Sequence, residues 1–429
     1  MIENKNIFYN ETIIKEVLPN GLTVYLMPKS DYVQYSALFI TDFGSFDTKF
    51  KPIGEQHQIT VPEGIAHFLE HKMFETNNGE DIMKLFYSLG SNVNAFTSYD
   101  RTAYTVSGTD NVEEVIELLL DFVQSPSFTE ESVEKEKSII EQEILMYLDD
   151  PKNFARTGIL KNLFGEDDMI WREIGGTPES IKAINKDILL KTYYTYYHPS
   201  NMTLVVVGGF DYLKLIETIK NNQAKKTFHC SSKITRENYK FKQDVDNINT
   251  IGYFNIETPI AYWGAKYPYV DDHPLNSIKM AYAIDFLIDA NFSSFSSFNE
   301  DLRKNGLGEI TINYSNNYYN GYGYFVITGT TKKYKELYQF IESKFNEIFT
   351  KTIDEDKLKI WRRGIHTNNI KIFNSIHKLC NNIAEYHFKN CELFDCLDIP
   401  STISVEDIHK ALQVLKQFSK TTFTVLSNK

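Results

Sequence analysis

The pattern of strands and helices in the first half of this chain returns about 220 residues later, a period too long for a solenoid unit and right for a whole domain. In the first half, RTAYTVSGT (101–109) alternates as a strand and leads into the amphipathic run NVEEVIELLLDFV; in the second, GYFVITGT (323–330) leads into YKELYQFIESKF. A helical run opening at Asp187-Ile188 passes through YYHPSN to the strand TLVVVG (203–208), and one opening at Asp407-Ile408 passes through FSK to TFTVLS (422–427). Several such runs in one order at nearly one offset imply a duplicated domain. The chain has 429 residues, beyond the roughly 250–300 at which a single core stops growing. The expected division is a first domain over 1–225, a polar linker over 226–240 that lacks an apolar period, and a second domain over 241–429. Strands such as LTVYLMP (22–28) and YSALFITDFG (35–44) come in groups, and long helices dominate the middle of each half. That order predicts an α+β fold: two homologous domains, each a mostly antiparallel or mixed sheet with helices packed on one face.

Charge narrows the function classes. Forty-five basic against 57 acidic residues leave a formal net charge of −12, unsuited to a nucleic-acid binder, which needs a basic surface to meet phosphates. No run has the length of a membrane-spanning helix, and the N-terminal MIENKNIFYN has no apolar core of a signal peptide. The four cysteines, Cys230, Cys380, Cys391 and Cys396, fit a cytoplasmic protein with reduced thiols. Cys391 and Cys396 stand near His387, but their spacing matches no standard zinc pattern, so they read as core or surface residues.

Chemistry concentrates in VPEGIAHFLEHKMFE (61–75). Pro62 and Glu63 suit the first turn of a helix. Residues four apart share a helix face, so His67 and His71 can point at one metal ion while Glu70 projects beside them. This is the H-x-x-E-H arrangement, the reverse order of H-E-x-x-H. Neutral imidazoles bind zinc, and a catalytic zinc takes three protein ligands while keeping a position for water. A carboxylate next to that water can carry its proton to a leaving amine. The third ligand must come from elsewhere. The helical run EESVEKEKSIIEQEILMYLDD (130–150) offers Glu134, Glu136, Glu141 and Glu143, of which Glu136 and Glu143 are two turns apart on one face.

The chain resembles the pitrilysin/insulysin family of zinc peptidases, the insulinase-like inverzincins that include mitochondrial processing peptidase, and within it the bacterial heterodimeric YmfH-like branch. The resemblance rests on GIAHFLEHKMFE, NAFTSYDRTAY, VEKEKSIIEQEI and YYHPSNMTLVVVG, and is looser in the second half. It implies a metalloendopeptidase with one Zn2+ per chain, His67 and His71 as ligands, Glu70 as general base, Glu143 as third ligand and Glu136 as its supporting acid; Glu141 is close enough to be the alternative ligand. It also implies that Asn94-Ala95-Phe96-Thr97 is an edge strand that pairs with an extended substrate by β-augmentation. The second half has no H-x-x-E-H. Where the family has a substrate-clamping Arg and, seven residues later, a Tyr, this chain has Arg303 and Ile310. The resemblance therefore implies a homologous partner subunit, a zinc-less paralogue that keeps the clamp, closing with this chain around a peptide as a heterodimer, or else a homodimer. Peptide maturation or leader removal fits such a pair. The alternative reading is a scaffold subunit with a vestigial zinc site.

Overall fold

The computed structural model describes residues 1–75, 81–228, 234–237, 249–269, 273–319, 321–418 and 420–428. Cys230 and most of the 226–240 linker lie outside the described residues. The chain forms two compact units. The first comprises Met1–Leu145, Glu173–Tyr239 and Ile370–Leu393, and the second Met146–Arg172, Lys240–Asn369 and Phe394–Lys429.

The first unit holds a seven-stranded sheet of β1 (Ile2–Asn6), β2 (Glu11–Val17), β3 (Thr23–Pro28), β4 (Tyr35–Thr41), β5 (Ser91–Thr97), β6 (Thr102–Gly108) and β7 (Met202–Gly208). Their spatial order is β1-β2-β3-β7-β4-β6-β5. Only β3 and β7 run parallel, with Val24 opposite Leu204. The second unit holds a five-stranded sheet of β8 (Thr250–Tyr253), β9 (Ile260–Tyr269), β10 (Ile312–Tyr319), β11 (Gly321–Thr330) and β12 (Lys420–Ser427), in the order β8-β12-β9-β11-β10. Here too one pair, β8 and β12, is parallel and every other neighbour antiparallel. The five strands β3-β7-β4-β6-β5 thus recur as β8-β12-β9-β11-β10 with the same senses, which makes the duplication legible in topology as well as in sequence.

Five helices bear on the site and its supports: α1 (Ile65–Met73), α2 (Glu130–Leu148), α3 (Pro151–Phe164), α4 (Pro274–Phe292) and α5 (Ile376–Phe388). Strand β4 is buried at all seven positions, as strands are when both faces of a sheet are covered. One face, with Ala37 and Phe39, belongs to the main core beneath α1 and α2. The other is covered by α5, which packs on β4 and β7 and brings the buried Cys380 thiol within 3.2 Å of the Ser36 carbonyl oxygen. The second unit receives the same treatment from the first half of the chain. Helix α3 packs on β12 and β9; Asn162 on α3 donates to Thr424 Oγ1 at 3.0 Å and to Thr250 Oγ1 at 2.9 Å. Glycine at 264 keeps that approach open, since a Cβ there would come within 3.0 Å of Leu163. Each half thus lends one helix to the unit built mainly from the other, and the compact units cross the contiguous division read from the sequence.

Candidate metal centre

Helix α1 begins after Gly64, which sits at φ +88° and whose missing side chain lets the Gly175 carbonyl approach; a Cβ would stand 2.2 Å from that oxygen. A left-handed residue here demands glycine. Along α1 the buried positions are Ile65, Ala66, Phe68, Leu69, Lys72 and Met73, a 3.6-residue stripe that faces the core. The remaining face presents His67, Glu70 and His71. Opposite lies α2, pinned to the core by Val133, Ile140 and Ile144, with Glu136 and Glu143 on a common stripe two turns apart.

These elements bring three donors together. Glu143 Oε2 lies 3.5 Å from His71 Nε2 and 4.0 Å from His67 Nε2. Among the described residues, His67, His71 and Glu143 are the one group of at least three His, Cys, Asp or Glu residues whose ligand atoms all fall within 4.8 Å of one another. Ligand bonds of about 2.0–2.2 Å in a tetrahedral set place neighbouring donors about 3.4 Å apart, so the spacing suits a zinc ion. The imidazoles fit as well. Burial, followed by the charge of His71, lowers the pKa of His67 to about 4, so the ring is neutral at physiological pH; its buried Nδ1 has no hydrogen-bond partner among the described residues. His71 Nδ1 lies 3.0 Å from Glu136 Oε1. A carboxylate can only accept, so His71 donates from Nδ1 and turns the Nε2 lone pair toward Glu143, the tautomer that a metal requires. Burial opposes the His71 cation, but the Glu136 bond and the charges of Glu136, Glu70 and Glu143 outweigh it and raise the pKa. The bond to His71 in turn holds the Glu136 pKa below the ordinary carboxyl value.

Glu70 stands beside the donors rather than among them. Thr97 Oγ1 on β5 donates to Glu70 Oε2 at 2.5 Å. Burial raises the Glu70 pKa, against the pull of the Thr97 bond and of His71, the direction that suits a group meant to take up and release a proton. Behind it lies the buried hydroxyl pair of Tyr104 and Tyr197, 2.9 Å apart.

The other residues singled out in the sequence divide as follows. Glu141 turns away from the histidines and pairs with Lys182 at 3.1 Å. Asn94 and Phe96 are exposed on β5, the last strand of its sheet, while Ala95 and Thr97 are half-buried on the alternate face. Arg303 is exposed on the helix Phe298–Lys304 of the second unit. Cys380, Cys391 and Cys396 are buried, and among the described residues neither they nor His387 belong to a metal-ligating group. Sequence reasoning missed the hydrogen bond by which Thr97 orients Glu70, and the packing of Gly175 against His67, where a Cβ would come within 3.4 Å of Nδ1. It also passed over Lys72, although a charged residue on the core stripe of α1 was a visible irregularity.

The second unit shows what the duplication has done with this place. In sheet register Ser91 faces Gly108 and Ile312 faces Gly329, the glycines that end the repeated strand. Thr97 lies six residues beyond Ser91, and Tyr318 six beyond Ile312. Tyr318 donates to Asp285 on α4 at 2.8 Å, just as Thr97 donates to Glu70 on α1. Asn316 adds a bond to the same Asp285 oxygen at 2.7 Å, and Asp289, one turn on, accepts from Trp361 and Tyr314, both at 2.7 Å. The carboxylate–hydroxyl pair is present in both units; among the described residues, a metal-ligating group with histidines accompanies it only in the first.

In this duplicated α+β fold the first unit sets two imidazoles and a glutamate within metal-binding distance of one another, beside a second glutamate. Comparison with known proteins identifies the family. Residues 54–169 match the family described as Insulinase (Peptidase family M16), and residues 183–364 match the Peptidase M16 inactive domain. The chain is 36% identical over 406 residues to a Bacillus subtilis (strain 168) protein bearing the name uncharacterized zinc protease YmfH, covering 94% of each chain. It superposes on the crystal structure of an M16-like peptidase from Alicyclobacillus acidocaldarius with a TM-score of 0.89 at 33% identity, over 97% of this chain and 99% of that one. A protease from Helicobacter pylori shares the fold at a TM-score of 0.81 and 19% identity, over 97% of this chain and 99% of that one. The chain belongs to the M16 insulinase family.

Proposed function

We propose that this chain is a zinc-dependent endopeptidase in which His67, His71 and Glu143 hold the metal and Glu70 is the catalytic base. The observation that carries this reading is the convergence of His67 Nε2, His71 Nε2 and Glu143 Oε2 beside a half-buried Glu70. When bound, zinc would act as a Lewis acid on the scissile carbonyl and lower the pKa of the attacking water. Glu70, oriented by Thr97, takes the proton from that water and delivers it to the departing amine. Glu136 keeps His71 in the ligating tautomer. An extended peptide adds to the open edge of β5 at Asn94–Thr97 through main-chain hydrogen bonds, which makes recognition tolerant of sequence.

The second unit supports a division of labour. Arg303 is exposed and residue 310 is isoleucine, so the Arg–Tyr pair implied by the family resemblance is incomplete in this chain. A homologous zinc-less partner subunit supplies that clamp and closes with this chain around peptides or unfolded segments, in maturation or leader removal. Among the described residues no helix is long and apolar enough to cross a membrane; together with three buried thiols, this favours work in the cytoplasm.

Glu70→Gln tests the reading. With the partner present, the variant should bind zinc as the wild type does and lose at least about a hundredfold in peptide hydrolysis, within the range contributed by a general base. Unchanged turnover would remove Glu70 from the mechanism.

A further inference from the structure

Five of the six core-facing positions of α1 are apolar; the sixth is Lys72, directly after His71. Its side chain has no exposed surface. Burying an ammonium costs several kcal/mol unless its protons are used, and a leucine or methionine would fill the same stripe without that cost. The ammonium is used across two helices. Lys72 Nζ donates to Ser132 Oγ on α2 at 2.8 Å and pairs with Glu75, just beyond the end of α1. Ser132 belongs to the start of α2, where it and Thr129 exchange bonds: Thr129 Oγ1 accepts from Ser132 N at 3.1 Å, and Ser132 Oγ accepts from Thr129 N at 3.3 Å. A cation at a helix N-terminus opposes the helix dipole, so Lys72 is poorly placed to stabilise α2 as a helix. Ser132 lies one turn before Glu136, on the stripe that continues to Glu143.

We infer that Lys72 is a positioning residue: its buried ammonium bridges α1 to the first turn of α2 and sets the register between the helix carrying His67 and His71 and the helix carrying Glu136 and Glu143. The donors are then at metal-binding distances before an ion arrives. Preorganised ligands bind more tightly because less ordering remains to be done on binding. This inference rests on the metal-centre reading above and adds a residue that touches neither metal nor substrate.

The test uses the full-length chain stripped of metal. Lys72→Met keeps most of the length of the side chain and removes its charge and hydrogen bonds; Ser132→Ala removes the acceptor on α2 together with the bonds between its hydroxyl and Thr129. Zinc affinity is measured by competition with a chromogenic chelator, cobalt(II) reports ligand geometry through its visible spectrum, and thermal melts of the metal-free proteins report stability. The expected result for Lys72→Met is a metal-free Tm no lower than that of wild type, a zinc Kd raised about ten- to hundredfold, as when supporting partners of metal ligands are removed, and an altered cobalt spectrum. Ser132→Ala should raise Kd in the same direction, with the double variant no worse than Lys72→Met, since both cut one bridge. A Lys72→Met protein with wild-type Kd and cobalt spectrum overturns the inference, whatever its Tm. If that variant does not fold, Ser132→Ala decides: a raised Kd supports the bridge and an unchanged Kd overturns it. A wild-type chain that fails to bind zinc would instead overturn the metal centre itself, and the inference with it.

Discussion

Two nitrogens of His71 have separate tasks. Nδ1 is committed to Glu136, and Nε2 is left facing Glu143. Glu136→Ala should therefore weaken zinc binding about ten- to hundredfold, Glu143→Ala should remove it from the measurable range, and Glu141→Ala should leave it unchanged, because Glu141 is engaged with Lys182. Equilibrium competition titrations on the three variants check the ranking. That His67, Glu70 and His71 share a face was legible in the sequence, because helical spacing fixes which side chains do. Choosing between Glu141 and Glu143 needed more than spacing. Both lie on one helix close to the centre, and what separates them is a lysine some 40 residues away in the chain, a tertiary contact that no period encodes.

The short helix α1 depends on the residue before it. Gly64 combines a left-handed backbone with close packing against Gly175, which in turn packs against His67 and Ile144. Gly64→Ala adds roughly 1–3 kcal/mol of backbone strain and forces the 175 loop away; it should lower both the Tm and the zinc affinity, read by calorimetry and chelator competition. The corresponding helix of the second unit makes a different prediction. Burial, with the neighbouring Asp289, pushes the pKa of Asp285 up to about 6 against the pull of its Asn316 and Tyr318 bonds. An unfolded chain gives up this proton near pH 3.9, so as pH rises the unfolded state ionises first. The stabilising contribution is complete below about pH 4, declines from there to about pH 6 and is absent above it. Asp285→Asn keeps an oxygen to accept both hydrogen bonds and carries no charge. The variant should exceed wild type by roughly 2–3 kcal/mol at pH 8 and match it near pH 4, as measured by urea denaturation at the two pH values. That α4 would be apolar and without histidine was readable from its sequence; that its two aspartates would be bound by tyrosines and a tryptophan was not, because their partners lie on another strand and another helix.

For the molecule as a whole, the duplication was visible in the order of its strands and helices, and the two sheets repeat one arrangement of neighbours. The reciprocal loan of α3 and α5 was not visible, because an amphipathic period says that a helix has a buried face and not which sheet covers it. The loan has a direct consequence for fragments. A chain of residues 1–225 retains the first sheet and lacks α5, leaving the apolar face that includes Leu38, Ile40, Val205 and Val207 uncovered. Such a patch is an aggregation liability. The fragment should be insoluble or bind the dye ANS strongly, whereas the full chain should do neither; light scattering and dye fluorescence check this.

The same exchange sets an order of events during synthesis. About 150 residues separate the end of that first stretch from the start of α5, which at roughly 5–20 residues per second takes the ribosome about 8–30 s. Throughout that interval the nascent first sheet is complete in its strands and open on one side, a surface for chaperones to occupy. The metal-binding half, although made first, is finished only when the other half has almost entirely emerged.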